Sequence, residues 1–342
     1  PEIKGIESFT GKRFHSQDWD HGYDLRGKRV AVIGTGASAI QFVPEVAKQA
    51  ARVDLYQRTP PWIMPKPDRA IRPLEKRLFR VFPQTLNAFR QSIYWSLEAR
   101  VLGFTSLQGA MRFHEYLFKK HLNACVPDPD TRAKLTPDYP MGCKRILISN
   151  DYYQALTKYR IPVITGGVRA ITADGVEDTD GEHHQADVII YGTGFQATDF
   201  LAPMTITGRR GQDLNQAWRD GAEAYLGITV HGFPNLFMLY GPNTNLGHNS
   251  IIYMIESQIA YVVSALETLE RDGHRFVDVR PGVQDDFNRR LQARMRDTVW
   301  DQGCESWYKT ASGKNTNNWP GFTFSYRQRT RHLDPEDYEL HP

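Results

Sequence analysis

The chain has 342 residues, 42 Lys and Arg against 39 Asp and Glu, and a formal net charge of +3. That length suggests about two domains of roughly 150 residues each, and a small charge of mixed sign points to neither nucleic acid nor a membrane surface. No apolar run approaches the ~18 residues of a membrane helix; the best stretch, Ile228 to Tyr240, is broken by His231, Pro234 and Asn235. Cys125, Cys143 and Cys304 form no CxxC pair and leave an odd thiol, which fits a reducing cytoplasm better than a disulfide framework. Residues 1–30 are too polar for a secretory signal, and no metal-ligand pattern is read. The sequence begins with Pro1 instead of Met and is expected to be part of a longer chain.

In chain order, Lys28 to Ile33 reads as a short apolar strand that runs into Gly34 and Gly36, followed by a helical pattern from about Ser38 to Ala50. Val53 to Gln57 is the next strand, completing a βαβ unit. A Pro-rich stretch, Thr59 to Pro67, leads to about residues 70–125, whose Leu, Phe, Arg and Gln recur at helical spacing and read as a helical insertion. Ala186 to Tyr191 is a continuous apolar strand ending in Gly192-Thr193-Gly194. Ile251 to Leu269 reads as a long helix and about 281–300 as a charged one. The tail from Lys314 reads as loop, with the basic run Tyr326 to Arg331 as a solvated face.

Gly34-Thr35-Gly36-Ala37-Ser38-Ala39 is a GxGxxA turn between an apolar strand and a helix, the context that gives this otherwise weak spacing meaning. Gly34 permits the tight turn, Gly36 lets a pyrophosphate approach the backbone, and Ala39 lets the helix pack closely on the sheet. The helix start then offers unpaired N–H groups to phosphate. An acid at the end of the second strand would bind the ribose 2′-hydroxyl of NAD. Here that position carries Gln57-Arg58-Thr59, and a guanidinium suits the 2′-phosphate of NADP.

These features, with further stretches, resemble the Baeyer–Villiger branch of the flavin-dependent monooxygenases. Phe9, Gly11, His15, Trp19 and Asp20 match every fixed position of that family's fingerprint FxGxxxHxxxW(P/D). Gly142-Cys143-Lys144-Arg145 resembles the segment whose arginine faces the flavin and whose lysine helps to hold the NADP phosphate. Asp187 to Phe195 resembles the strand and glycine turn that link the two nucleotide domains. Gly241 to Ser250 resembles the loop that approaches the flavin ring, and Trp319-Pro320-Gly321-Phe322 also matches.

The resemblance implies an α/β, two-dinucleotide-binding-domain flavoprotein. Residues 1–25 would be a linker with the fingerprint at the end of the FAD domain. Residues 26–185 would be a Rossmann-like NADP-binding domain with the helical insertion, and 186–342 the C-terminal part of the FAD-binding domain and a tail. NADP(H) would be held by Gly34, Thr35, Gly36, Ser38, Ala39, Arg58, Thr59 and Lys144, and FAD by Thr193, Gly194, Asn243, Leu246 and Ile251. Arg145 would be catalytic, stabilising negative charge during attack of a C4a-peroxyflavin on a ketone to give an ester or lactone. The partners would be a small ketone and O2, in a cytoplasmic monomer or weak homo-oligomer. N- or S-oxygenation is the alternative chemistry, against which Trp19 argues, and a non-catalytic NADP-binding fragment is the alternative role. The family's first Gly-rich unit has no counterpart before Phe9. On that reading this chain alone holds FAD weakly, and the apolar faces of the Phe9 stretch and the Asp187 strand lie exposed.

Overall fold

A computed structural model describes residues 1–301, 303, 304 and 306–341. The chain forms two compact units, the first from Pro1–Asp68, Phe113–Met141 and Arg145–Phe195, the second from Arg69–Arg112, Gly142–Lys144 and Gln196–Pro342.

Unit 1 is built on a five-stranded sheet. Its strands are β1 (Lys12–His15), β2 (Arg29–Ile33), β3 (Arg52–Tyr56), β6 (Val163–Ile164) and β10 (Val188–Tyr191), in the order β1-β10-β2-β3-β6. Every neighbouring pair is parallel, and the central strands are apolar runs with few polar interruptions, as parallel strands covered on both faces must be. Helix α1 (Ala39–Ala47) links β2 to β3 and buries Ala39, Ile40, Val43 and Val46. A short parallel pair, β4 (Ile63–Met64) with β5 (Leu147–Ile148), and an antiparallel sheet of β7 (Val168–Ile171), β8 (Gly175–Asp178) and β9 (His183–Gln185) complete the strands of this unit. Helices α6 (Pro129–Lys134) and α7 (Tyr152–Lys158) belong to it as well.

Two expectations change here. Residues 12–15 are an edge strand of the sheet, and residues 188–191 lie between β1 and β2, so both form one layer with the βαβ unit. The apolar faces expected to be exposed are covered: Phe9, Phe14, Val188, Ile189 and Ile190 are all buried. Phe9 and Ile189 pack in one core with Ala31, Ile33, Ile171 and Val176. The small antiparallel sheet supplies part of that cover, which no local pattern around residue 9 or 187 announces.

Asp187, just before β10, accepts from the backbone N–H of Arg29 at 2.8 Å and from its Nη2 at 2.7 Å. These bonds hold its carboxyl down to about 2. A depressed acid stabilises the fold above its ordinary value of ~3.9 and loses that contribution as pH falls towards the folded value. Asp187→Asn is therefore expected to lower stability at pH 6 by on the order of 1 kcal/mol after solvent screening, read as a lower Tm. The gap to wild type should shrink as pH falls below about 4, and a gap independent of pH would refute the assignment.

Unit 2 contains the helices of the insertion, α2 (Pro73–Val81), α3 (Pro83–Glu98), α4 (Val101–Phe104) and the start of α5 (Met111–Cys125). It continues with α8 (Leu214–Ala217), α9 (Ile251–Asp272), α10 (Pro281–Met295) and α11 (Thr323–Arg329), and an antiparallel ribbon of β11 (Phe276–Val279) with β12 (Tyr338–His341). Gly273 in the left-handed conformation ends α9. Trp300, Tyr261, Tyr326 and Tyr338 are among its largest fully buried side chains.

The tail is thus not loop. It forms α11 and β12, whose anchor residues Tyr326, Leu333 and Tyr338 are too far apart to give a periodic signal. The basic run is only partly solvated: Tyr326 and Thr330 are buried, and Arg329 lies over the Phe287 ring at 5.3 Å. Cys143 and Cys304 form a disulfide, correcting the expectation of free thiols. Their separation of 161 residues conceals a Cα–Cα distance of 6.3 Å. Among the described residues no helix is long and apolar enough to cross a membrane.

Candidate functional site

Because β1, β10, β2 and β3 are parallel neighbours, the turns at their carboxyl ends share one edge of the sheet. In open α/β sheets that edge is where ligands bind. It collects residues from four separate motifs: His15 ends β1, Gly192 to Gly194 follow β10, Gly34 to Ser38 follow β2, and Gln57 to Thr59 follow β3. Backbone bonds zip the turns together. Ser16 N–H donates to Tyr191 O at 2.9 Å, Gly192 N–H to Ile33 O at 2.8 Å, and Gly34 N–H to Tyr56 O at 3.0 Å.

Gly34 has φ +110°, and a Cβ there would run into the Gly192 carbonyl. Its missing side chain therefore serves the close approach of two turns as well as the bend. Gly36 is exposed, and the atom nearest a Cβ at that position would be Gly192 O at 3.9 Å, so its backbone faces open space. Ala39 is fully buried and would lie 3.3 Å from a Cβ at Gly192, which explains the small residue there. Ser38 is half-buried at the start of α1 and makes no side-chain cap, which leaves the first N–H groups of the helix uncapped by it. Thr35 is buried and its hydroxyl donates to Thr59 O at 3.4 Å.

At the end of β3, Gln57 turns inward and donates to Lys134 O at 2.7 Å, while Arg58 is exposed. Asp54, inside the strand, is buried and pairs with Arg52 at 2.8 Å. No acid therefore stands at the strand end. Arg145 is exposed two residues before β5, whose Leu147 N–H donates to Trp62 O at 2.8 Å. That bond ties the Arg145 segment to the chain just beyond Thr59. Neither Arg58 nor Arg145 forms an ion pair among the described residues. Lys144 is half-buried and belongs to unit 2.

The fingerprint residues do structural work around this edge. The Trp19 ring lies 5.2 Å from Phe14 and 5.3 Å from Phe42, bracing the end of β1 against α1. His15 accepts the Gln17 N–H at 3.1 Å and meets Phe195 edge-on. Asp20 pairs with Lys12 at 2.5 Å, and that hydrogen bond holds its carboxyl below the usual range. At Gly11 a Cβ would strike the Phe9 ring and the Asp187 carbonyl. Thr193 and Gly194 are exposed at the same edge.

The other residues expected near flavin lie in unit 2, where Asn243 and Leu246 are buried and Ile251 opens α9. Asn243 donates to Asn315 O at 2.8 Å and leaves its own Oδ1 without a partner. Residues 315–318, part of the tail expected to be loop, are a buried polar layer around it. The repeated Asn and Thr of that stretch was the available signal. Elsewhere Asp178, Glu182 and His184 bring donor atoms within 4.8 Å of one another. Asp178 is already engaged by two backbone N–H groups and by His184 at 2.9 Å.

The model of the flavin-binding monooxygenase-like family matches residues 2–204. The chain belongs to that family. Within it, the chain is 52% identical to a Baeyer–Villiger monooxygenase of Pseudomonas aeruginosa, over 99% of this chain and 65% of the relative. It is 45% identical to one of Streptomyces coelicolor, over 99% of this chain and 66% of the relative. The chain thus spans just under two thirds of the length of these family members. Among solved structures it is similar to OTEMO, determined in complex with FAD and NADP, with a TM-score of 0.86 and 25% identity over 99% of this chain and 72% of that one. The family fold, with its two dinucleotide-binding domains, accounts for the parallel sheet and glycine turns described above.

Proposed function

We propose that the enzyme to which this chain belongs is an FAD- and NADPH-dependent Baeyer–Villiger monooxygenase, which inserts one oxygen atom of O2 into a ketone to give an ester or lactone. The observation that carries this reading is the convergence of the fingerprint, the two glycine turns and Arg58 on one edge of a parallel sheet. FAD and NADPH, when bound, supply the oxygen-activating and hydride chemistry, and the protein binds, orients and stabilises charge. The exposed backbone at Gly36 and the start of α1 fit a pyrophosphate. Arg58, with Thr59 beside it and no acid at the strand end, fits a 2′-phosphate, and Lys144 would add a second cation. Thr193, Gly194, Asn243, Leu246 and Ile251 would contact the flavin. Arg145, exposed and without an ion pair among the described residues, is free to stabilise the negative charge that develops on the reacting oxygens. His15 and Trp19 position β1 and α1 and take no part in the chemistry.

The test is a product analysis. The FAD- and NADPH-loaded enzyme is offered cyclic and open-chain ketones, thioethers and tertiary amines, with products identified by mass spectrometry. Esters or lactones one oxygen heavier than the ketone are expected. Sulfoxides or N-oxides without any ester would reject the Baeyer–Villiger reading.

A further inference from the structure

Glu98, the last residue of α3, is 1% exposed. An uncompensated carboxylate at such a place would be costly, and here it is met from two directions. Its Oε1 accepts from the backbone N–H of Thr323 and, at 3.4 Å, from that of Phe324, the first residues of α11. Its Oε2 accepts from the Thr323 hydroxyl at 2.8 Å, itself 2.9 Å from the Tyr94 hydroxyl, and from the Asn249 side-chain amide. His248 Nε2 lies 3.7 Å from the same oxygen, and the ring is fully buried. Burial alone raises the carboxyl, but the neighbouring His248 and the hydrogen bonds from Asn249 and Thr323 outweigh it and hold it at about 2. The residue before α11, Phe322, cannot cap it with its side chain. Glu98 therefore does from a distant helix what a capping side chain does locally.

The loop of residues 241–250 is held in two different ways along its length. Its first half is pinned by backbone bonds to residues 316–319. Asn243 N–H donates to Thr316 O at 2.7 Å, Asn245 N–H to Asn317 O at 2.9 Å, and Trp319 N–H to Asn245 O at 2.9 Å. Beyond Leu246 that ladder stops. Gly247 packs under Trp300 and Phe104, where a Cβ would lie 3.1 Å and 3.2 Å from the two rings. From there to Ser250, among the described residues, the hydrogen bond to a distant segment is the one from Asn249 to Glu98.

We propose that Glu98 is a positioning residue for this loop, its carboxylate holding Asn249 and His248 to the start of α11 and so setting the backbone that carries Leu246 and Ile251. The part of the inference that concerns flavin rests on the function proposed above; the part that concerns the loop does not. Glu98 is not assigned to any reacting atom. It acts through Asn249, and it couples the helical insertion, the loop and the C-terminal helix.

The test is hydrogen–deuterium exchange on the purified chain, read at residues 243–250 and 323–326, for wild type, Glu98→Ala, Glu98→Gln and Asn249→Ala. Glu98→Ala should speed exchange at least tenfold in both stretches. Glu98→Gln should restore most of the protection at 323–326, because its carbonyl oxygen still accepts from the Thr323 N–H. Asn249→Ala should loosen residues 243–250 alone, leaving α11 at the wild-type rate, and it decides the matter if Glu98→Ala does not fold. Wild-type exchange of 243–250 in Asn249→Ala, or no rescue by Glu98→Gln, would overturn the proposal. Parallel titration with FAD separates the two readings. If FAD binds, Asn249→Ala should blur the fine structure of its visible absorption. If wild type binds no FAD, the flavin reading fails for this chain while exchange still judges Glu98.

Discussion

Arg145→Ala is expected to lower ketone oxygenation by the loaded enzyme about 10²–10³-fold, equivalent to ~3–4 kcal/mol of lost transition-state stabilisation. The size follows from what a preorganised cation contributes when negative charge develops beside it. The structure makes the experiment clean. Arg145 is exposed and forms no ion pair among the described residues, so its truncation leaves no buried partner unpaired. Exposed substitutions of that kind change stability by about 0.5 kcal/mol or less, and Tm should stay at the wild-type value while turnover collapses. Arg145→Lys should recover only part of the rate, because a point ammonium does not reproduce the planar fork of the guanidinium. Steady-state kinetics with a ketone substrate, run beside thermal unfolding, checks the prediction. Near-normal ester or lactone formation by Arg145→Ala would remove Arg145 from the chemistry.

The second large effect concerns cofactor choice. Arg58→Ala should weaken NADPH binding by roughly 1.5–3 kcal/mol, the worth of a hydrogen bond to a charged group, or about 10- to 150-fold, and leave NADH binding unchanged. The geometry at the end of β3 allows this selectivity. Gln57 is committed to the Lys134 carbonyl and Asp54 to Arg52, so neither competes with Arg58 for the ribose or repels a phosphate there. Isothermal titration of both nucleotides against wild type and variant reads the ratio directly. An unchanged preference would move the 2′-phosphate contact elsewhere, with Lys144 the next residue to test.

The clearest features of the sequence were those whose signal is local. The β2–turn–α1–β3 unit is legible because apolar runs, a GxGxxA turn and a helical period succeed one another within about thirty residues. The long helix α9 and the charged helix α10 are legible by period, and the helical insertion by its helical spacing and few breakers. The fingerprint is legible as a pattern, and its residues do gather beside the glycine turns.

What stayed hidden depends on contacts between distant segments. Pairing of β1 with β10 and of β10 with β2 brings residue 12 to residue 188 and residue 188 to residue 30, and parallel pairing leaves no turn signature in the sequence. For this reason the cover of the Phe9 and Asp187 stretches, which residues of the small antiparallel sheet help to supply, has no local signature. The tail's strand β12 exists because β11 offers it an edge, and the Cys143–Cys304 bond because the fold closes a separation of 161 residues. Glu98 reads in the sequence as one more surface acid of an insertion helix; only the arrival of α11 and Asn249 makes it a buried, fully engaged carboxylate. By itself, then, the sequence determined the nucleotide-binding unit and the family, since both are written in short-range spacing. The tertiary structure decided which residues are covered and which acids are charged at low cost, because burial and pairing are set by neighbours far away along the chain.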